Sequence, residues 1–520
     1  TVNTYGKLDV IVNNVSVAIG GYPITDMSNE DWQKILAINF SSVFYGCKHS
    51  IPYLKKNNGG SIINIASVQA HTPLPGWAAY AGIKGGVISM TRNIASEFGP
   101  FDDRLLEPLA SMINIQAEQG NFAEVAELQS RELSIMRMNL GFENPELVPL
   151  VRSMIEVQQV LGNYEVVSDH LEHIRFLVAS NSDTQSEELL HAIENQAQWL
   201  LAGFYLGEER RQSDKMLDAR DLYREMYNLA EDIYGEEDPL LYPWYYKRAY
   251  NLALLVQLLN TEDNLSSQIL RDLVRSDGPT LLEHGRRGGV ISTSPFIGLG
   301  RQIAVVDGES VLGEGYLRQG LGFINDIFDI AEEQGDLEAQ AMAQIYRGDF
   351  NVLMDRSSGR RQYNEAQSLL LQAGISQQEI DAFFHIPMPL PIPEFYSRFS
   401  DLVAYQQSII GEVRSIQEGV LHLGTFRAWH ENARAVLKPV SSDPLLRIGL
   451  PQFQVDLSFN ISSRGNVSSV DVLTSIPEDR RVSREGARAI REIKFRPFYD
   501  GDRARRIRDV QIRYLFAQQQ

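Results

Sequence analysis

A phrase written twice constrains this chain most: Gly120-Asn121-Phe122 and Gly162-Asn163-Tyr164 stand 42 residues apart, each closing one apolar-periodic stretch and opening another. Leu105 and Leu147 keep the same offset. A glycine that ends one amphipathic run, just before the residues that start the next, predicts a helix hairpin. A fixed period of this length predicts stacked helix pairs, none of which buries its apolar face alone. The turn between pairs also recurs, as Leu140-Gly141-Phe142-Glu143-Asn144-Pro145 and Tyr234-Gly235-Glu236-Glu237-Asp238-Pro239. Further units are expected around Tyr205 to Gly207 and over Ala339 to Leu371, so the helical tract runs from Asp102 to near Asp381.

Charge divides the chain in the same places. Residues 1–100 carry 7 Lys/Arg against 5 Asp/Glu, residues 445–520 carry 14 against 9, and the middle holds a net −26 of the total −19. So acidic a middle excludes a nucleic-acid-binding scaffold, which needs clustered cations to neutralise phosphates. The single Cys47 excludes an internal disulfide and a thiolate metal site. The residues from Thr1 onward show no basic stretch followed by an apolar run that would read as a secretion signal, and the most apolar window, Leu252–Leu259, falls short of the ~18 residues of a membrane span.

The front of the chain alternates strand and helix. Leu8–Val12 reads as a buried parallel strand closed by Asn13-Asn14. Ser28, with Asp31 three residues on, caps a helix carrying Trp32, Ile35, Leu36 and Phe40 and running through Ser50. Gly60–Ile65 is a second strand ending at Ser67, and Ala78–Phe98 is a helix with Tyr80 and Lys84 one turn apart on one face.

With Asn39 after the first apolar stripe, Ser67 after a strand and Tyr80-Ala81-Gly82-Ile83-Lys84 thirteen residues later, this stretch resembles the short-chain dehydrogenase/reductase family. Val15-Ser16 stand where the family usually has Ala-Gly. A phenol of unperturbed pKa about 10 needs a neighbouring ammonium to act as acid and base near neutrality, which the Tyr/Lys spacing supplies. The resemblance implies that Tyr80 passes the proton while hydride moves and that Ser67 holds the substrate oxygen. It implies further that Asn39 anchors a water in the relay and that Asn13, Tyr80 and Lys84 meet the cofactor, NAD or NADP. The family's glycine-rich dinucleotide turn is expected ahead of Leu8, and Leu8–Val12 corresponds to the fourth strand of its sheet. No cofactor is therefore expected for the chain as it stands. Gly315, Gly320 and Gly322, Gly285, Gly288 and Gly289, and Gly298 with Gly300 are expected to be turns between helices rather than a displaced phosphate loop.

The helical tract resembles tetratricopeptide repeats of the longer, kinesin-light-chain-like kind, which implies a solenoid binding peptides or partner helices along its concave face. His170 and His173 have no third metal ligand in sight and are expected to pack or face solvent. Tyr242, Trp244, Tyr245 and Tyr246 are expected in a repeat core or cap, and Glu236–Asp238 in a solvated turn.

Ile386–Pro393 alternates proline with apolar residues and predicts an extended, stiff segment, followed by helical residues to about Leu437. Pro439, Pro444 and Pro451 mark a linker. Val455, Leu457, Phe459 and Ile461 alternate along a strand, Arg464-Gly465-Asn466 turns, and Val467–Leu473 pairs back. Arg481–Ile493 is a helix, and Val510, Ile512, Tyr514 and Phe516 form a last strand. With Lys494-Phe495-Arg496-Pro497-Phe498 after the helix, residues 451–516 resemble the C-terminal domain of TonB-type energy transducers, which implies pairing of an exposed strand edge with a partner peptide across the periplasm.

The expected fold is thus multidomain: a partial α/β Rossmann-like segment (1–100), an all-α helical-repeat solenoid (101–385), a proline-containing linker with helices (386–450) and a small α+β domain (451–520). The first functional reading is a protein–protein interaction scaffold with a dehydrogenase remnant, periplasmic if the repeats and the TonB-like part decide. The second is an NAD(P)-dependent oxidoreductase, cytoplasmic if the dehydrogenase part decides. The clash of compartments suggests a composite chain joined near Glu97-Phe98-Gly99-Pro100.

Overall fold

The computed structural model describes residues 2–57, 59–72, 74–98, 101, 103–181, 186–203, 212–259, 313–355, 359–411, 420–428, 437–439 and 452–517. They fall into two compact units, 1–150 and 151–520. The helix pair expected around Tyr205 to Gly207, the junction Gly99-Pro100, the glycines from Gly285 to Gly300, and Pro444 and Pro451 lie outside the described residues.

In the first unit β1 (Val10–Asn13) and β2 (Ser61–Asn64) pair in parallel, Asn13 opposite Asn64. Between them Ser28 caps α1 (Asn29–Leu36), its Oγ accepting from the Asp31 N–H at 3.0 Å. The helix runs on through a π turn, Ala37–Ser41, into α2 (Ser42–Lys56), and α3 (Ala78–Phe98) follows β2. Val43, Cys47 and Val87 close a small core against Ile62. The two strands are half-buried rather than buried: Val10 and Val12 are 52% and 54% exposed. A parallel strand becomes fully buried only when helices cover both faces, and among the described residues α2 and α3 cover one. α4 (Leu106–Glu118) and α5 (Phe122–Leu140) pack through Leu109, Leu128 and Ile135.

The repeated glycines have one physical cause. Gly120 and Gly162 take φ +75° and +74°. In each case the following Asn N–H reaches back five positions, Asn121 to the Gln116 carbonyl at 2.9 Å and Asn163 to that of Gln158 at 3.0 Å. The pattern is the left-handed helix stop that satisfies otherwise orphaned carbonyls, for which glycine alone has no steric cost. Gly335 and Gly374 repeat it, with Asp336 bonded to Ala331 at 2.9 Å and Ile375 to Leu370 at 3.0 Å. The echoed turns match as well. Asn144 and Asp238 each cap a 3-10 turn that begins with proline, accepting from the Glu146 and Leu240 N–H groups at 2.9 and 2.8 Å.

The second unit continues with α6 (Val148–Leu161), α7 (Tyr164–Asn181), α8 (Glu187–Gly203), α9 (Gln212–Tyr234), α10 (Tyr242–Leu259), α11 (Glu314–Glu333), α12 (Leu337–Leu353), α13 (Arg360–Gln372) and α14 (Gln377–Phe384). Gly315, Gly320 and Gly322 are not turns but lie inside α11, and a Cβ on Gly320 would fall 2.7 Å from Phe350. That glycine lets α11 approach α12 closely. Tyr242, Trp244, Tyr245 and Tyr246 are buried. Tyr246 meets Tyr346 edge-on with ring centroids 4.7 Å apart.

The proline segment is extended but is not a solvated spacer. Met388, Leu390 and Ile392 are 3%, 1% and 1% exposed. Its carbonyls are taken by α10 and α12: the Tyr246 hydroxyl donates to Ile392 O at 2.6 Å, Gln257 to Leu390 O at 3.3 Å and Tyr346 to Glu394 O at 2.7 Å. Burial pushes both phenols well above their ordinary range, so they stay neutral donors. A segment that prolines bar from helix is thereby satisfied inside the protein.

α15 (Phe399–Gly411) follows. Where helix was expected towards Leu437, His422–Ala428 and Leu437–Pro439 are strands β4 and β5. Gly424, at φ +107° and packed on the Ile409 backbone, suits no helix, and parallel pairing with the last strand decides the conformation. β6 (Gln452–Ile461) and β7 (Val467–Ile476) form a hairpin, α16 (Arg480–Arg491) packs on it, β9 (Phe498–Asp500) and β10 (Arg503–Arg505) pair in a small hairpin of their own, and β11 (Ile507–Ala517) is central in the order β5-β4-β11-β6-β7. Val455, Leu457, Phe459, Val510, Ile512 and Tyr514 meet Val482, Ala487 and Ile490 of α16. Each such large side chain contributes about 1.5–3 kcal/mol on full burial. On the other face Asp456 accepts from Arg513 at 2.8 Å and from Thr474 at 2.7 Å. Burial would push this carboxyl up, but those bonds outweigh it and hold it below its usual range.

Helices and sheet are joined at β8 (Phe495–Arg496), which pairs with β3 (Met388–Pro389) of the proline segment. Arg496 makes two parallel bonds to Asp349 of α12, at 2.9 and 2.6 Å, with 1% and 3% of the two side chains exposed. Tyr363 donates to the same carboxylate at 2.7 Å, and the guanidinium lies 5.1 Å from the Phe383 ring centre. Burial alone would pull the guanidinium pKa down; Asp349 outweighs it and holds it above its usual value. Replacing Arg496 by Met strands a buried carboxylate and is expected to cost about 3–5 kcal/mol in denaturant unfolding, whereas Asp349→Leu with Arg496→Met recovers most of that. A cost below about 1 kcal/mol for Arg496→Met would show that the pair does not hold the joint.

Candidate functional site

The candidate site lies in the first unit, at the end of the strands where α3 begins. Asn39 occupies the middle of the π turn and is fully buried. The extra residue of a π turn turns a side chain out of helical register, and such turns recur at functional sites. Here both ends of the carboxamide grip the loop after β1: Oδ1 accepts from the Val17 N–H at 2.7 Å, and Nδ2 donates to the Val17 carbonyl at 2.8 Å. Ser67 ends the backbone that leaves β2, and its Oγ accepts from the Gln69 N–H at 3.3 Å to cap the turn Val68–Ala70. That turn packs on α3.

Lys84 is 1% exposed, and its Nζ donates to the Ile65 carbonyl at 2.8 Å. The same ammonium lies 6.0 Å from the centre of the Tyr80 ring. Tyr80 itself is half-buried and meets Trp77 edge-on, ring centroids 6.0 Å apart. Tyr80 and Lys84 are thus brought together, and Lys84 is fixed on the backbone two residues before Ser67. The helix face that aligns positions i and i+4 is what places them so.

Asn13 stands elsewhere. Its Nδ2 donates to Asn64 Oδ1 at 2.8 Å, Asn64 Nδ2 donates to Thr91 Oγ1 at 2.9 Å, and Cys47 Sγ lies 3.7 Å from both asparagines. This polar ladder crosses from β1 to β2 to α3. Burial pushes the Cys47 thiol up more than its contact with Asn64 lowers it, which leaves it protonated and unreactive. A cleft of about 650 Å³ opens beside Cys47, Asn64 and Thr91, and Tyr80 is not among the residues that line it.

Sequence reasoning missed the residues that hold the loops. Gly21 N–H donates to the Gly76 carbonyl at 2.9 Å, and a Cβ on Gly20 would fall 2.9 Å from the Trp77 ring. Gly76 takes φ +83°. The loop after β1 is therefore held twice, by Asn39 and by the turn that leads into Tyr80. The Gly20-Gly21 and Gly76-Trp77 pairs were the available signal, since adjacent glycine and aromatic residues before a helix suggest close backbone approach.

A family profile described as short chain dehydrogenase matches residues 1–102. Residues 1–102 form a short-chain dehydrogenase/reductase segment. The chain is 32% identical over 151 residues to 3-oxoacyl-[acyl-carrier-protein] reductase FabG of Thermotoga maritima, which covers 29% of this chain and 59% of that protein. It is 35% identical over 95 residues to 3beta-hydroxysteroid dehydrogenase 2 of Eggerthella lenta (18% and 36% covered). It is 37% identical over 99 residues to cyclopentanol dehydrogenase of Comamonas testosteroni (19% and 39% covered). Among solved structures, ElxO with NADP bound is 29% identical over 19% of this chain and 39% of its own, with a TM-score of 0.18. The chain spans between 36% and 59% of the length of these three sequence relatives.

Among the described residues no group of three potential ligands could hold a metal ion, and His170 and His173 lie on α7. No described helix is long and apolar enough to cross a membrane. Asn39→Ala removes the side-chain partner of both the N–H and the carbonyl of half-buried Val17 and is expected to destabilise the first unit by about 1–3 kcal/mol in thermal or denaturant unfolding. An effect within about 0.5 kcal/mol would mean that the loop after β1 does not depend on Asn39.

Proposed function

We propose that this chain is a protein–protein interaction scaffold whose helices and C-terminal sheet together present a strand edge to a partner peptide. One observation carries the reading. β7 is ten residues long and, among the described residues, pairs with β6 on one side only, with Val472, Leu473 and Ile476 exposed by 38%, 44% and 59%. An exposed edge of this length can template another strand, and main-chain bonds along it would give affinity while pockets for alternate side chains give specificity. The tetratricopeptide and TonB-type resemblances point the same way, to partner proteins and to a periplasmic setting. Part of the surface of α10 and α12 is already filled by Met388–Glu394, so the strand edge is the better candidate for a partner than that stretch of helix.

The test is selection of displayed extended peptides on the full chain, followed by hydrogen exchange of the complex. Protection is expected along β7, with at least about tenfold weaker binding after Val472→Lys with Leu473→Lys, since charge blocks edge pairing. Peptides that protect the helices and leave β7 unchanged would contradict it.

A second reading is NAD(P)-linked hydride transfer to or from a carbonyl or alcohol, in the cytoplasm, with Tyr80 as proton carrier. It is favoured by the buried Lys84 ammonium beside Tyr80 and by the match of residues 1–102. A phenol moves a proton near neutrality only if a cation stabilises its anion. The family resemblance assigns Ser67 to the substrate oxygen and Lys84 and Asn13 to the cofactor; of these, Asn13 has its carboxamide committed to Asn64. Calorimetric titration with NADH and NADPH decides. Saturable binding, at least about tenfold weaker in Lys84→Ala, is expected on this reading, and no binding at millimolar cofactor removes it.

A further inference from the structure

α16 buries Val482, Ala487, Ala489 and Ile490 against the sheet and gives its other side to Arg480, Arg481, Arg484, Arg488 and Arg491. This is an electrostatically unfavourable helix. Its first turns hold Arg480, Arg481 and Arg484, where the unpaired N–H groups and the helix dipole already carry positive charge and favour carboxylates. Arg480 with Arg484, and Arg484 with Arg488, are also like-charge neighbours four residues apart. Acidic residues answer only part of this. Arg481 lies 2.9 Å from Glu485, Arg488 lies 3.7 Å from Glu492, and Asp479 caps the helix by accepting from the Arg481 N–H. Arg480 and Arg484 have no ion-pair partner among the described residues.

Arg480, Arg481, Arg484 and Arg488 line a concavity of about 490 Å³, shared with Asp479 and Glu485. We propose that this concavity is a binding site for a small soluble anion bearing several phosphates. Guanidinium groups present planar pairs of donors that match phosphate oxygens, and Arg480 and Arg484 have theirs uncommitted. An anion there cancels the repulsion along the helix, so the free helix holds a charge arrangement that the ligand completes. A membrane surface fits less well: the arginine side of α16 shows no apolar residue to insert, and a chain of net charge −19 is repelled from an anionic bilayer at long range.

The test is calorimetric titration of the full chain with sodium tripolyphosphate at low and moderate salt, beside sedimentation with phosphatidylglycerol vesicles. One saturable site is expected, weakening as salt rises, and at least about tenfold weaker in Arg480→Gln with Arg484→Gln. Arg506→Gln, outside the concavity, should bind as the parent does. Without ligand the double variant should melt no lower than the parent, because it sheds like-charge neighbours, which separates loss of the site from loss of the fold. Three results would each overturn the proposal: no saturable binding, equal affinity of parent and double variant, or vesicle binding that tripolyphosphate does not displace.

Discussion

The bidentate contact between Asp349 and Arg496 is the joint on which the second unit depends. Two unit charges taken out of water are costly, and such a pair persists only where close bidentate geometry and added contacts offset that cost. Here the carboxylate has a third donor in Tyr363, and the guanidinium is laid against Phe383. Meeting those demands fixes much else. α12 and α13 must cross closely enough to bring Tyr363 to Asp349, and Gly348 permits it, since a Cβ there would collide with the Tyr363 ring. β8 must reach α12, so the turn at Gly465, at φ +79°, has to pass against the Phe495 backbone. The proline segment then has one course left, paired with β8 on one side and bonded to Tyr246 and Tyr346 on the other.

That arrangement bears on function through the sheet. β11 has both neighbours in place, β4 in parallel and β6 antiparallel, so a partner strand has no access to it. Among the described residues β7, on the far side of the hairpin, is an edge strand of the sheet. A short edge strand, β5, closes the opposite side. Positioned on helices through a buried joint, such an edge can be held at a fixed angle to whatever else the helices touch. In the first unit the organising contacts are polar instead. Asn39 on Val17, Lys84 on Ile65 and Gly21 on Gly76 gather three loops around the start of α3, while one face of the strand pair stays exposed.

What could be read from the residues was whatever has a short-range cause. The left-handed stops at Gly120 and Gly162 were legible because glycine there answers a backbone requirement, and Ser28 with Asp31 because capping is local. The same stop at Gly335 and Gly374 was not, because Asp336 and Ile375 replace asparagine and broke the written repeat while keeping its geometry. Tyr80 and Lys84 were legible from helical spacing; the hold of Asn39 on Val17 was not, since the π turn that aims it has no sequence mark. Arg496 lay inside a phrase singled out for its resemblance alone, and nothing local announces that its partner is 147 residues away. β4 read as helix because its fate is set by pairing with a strand near the other end of the domain. Long-range pairing and buried charge are the terms that local pattern does not contain.

Hydrogen exchange of the full chain, resolved to single amides, tests most directly whether helices and sheet act as one body. If they do, the amides of Leu390 and Phe495, bonded to Lys494 and Gly465, will open only with the core of α12 around Phe350, at the slowest rate in the unit. Exchange of Leu390 and Phe495 at loop rates while α12 stays protected would contradict it, and would leave the sheet as an independent appendage.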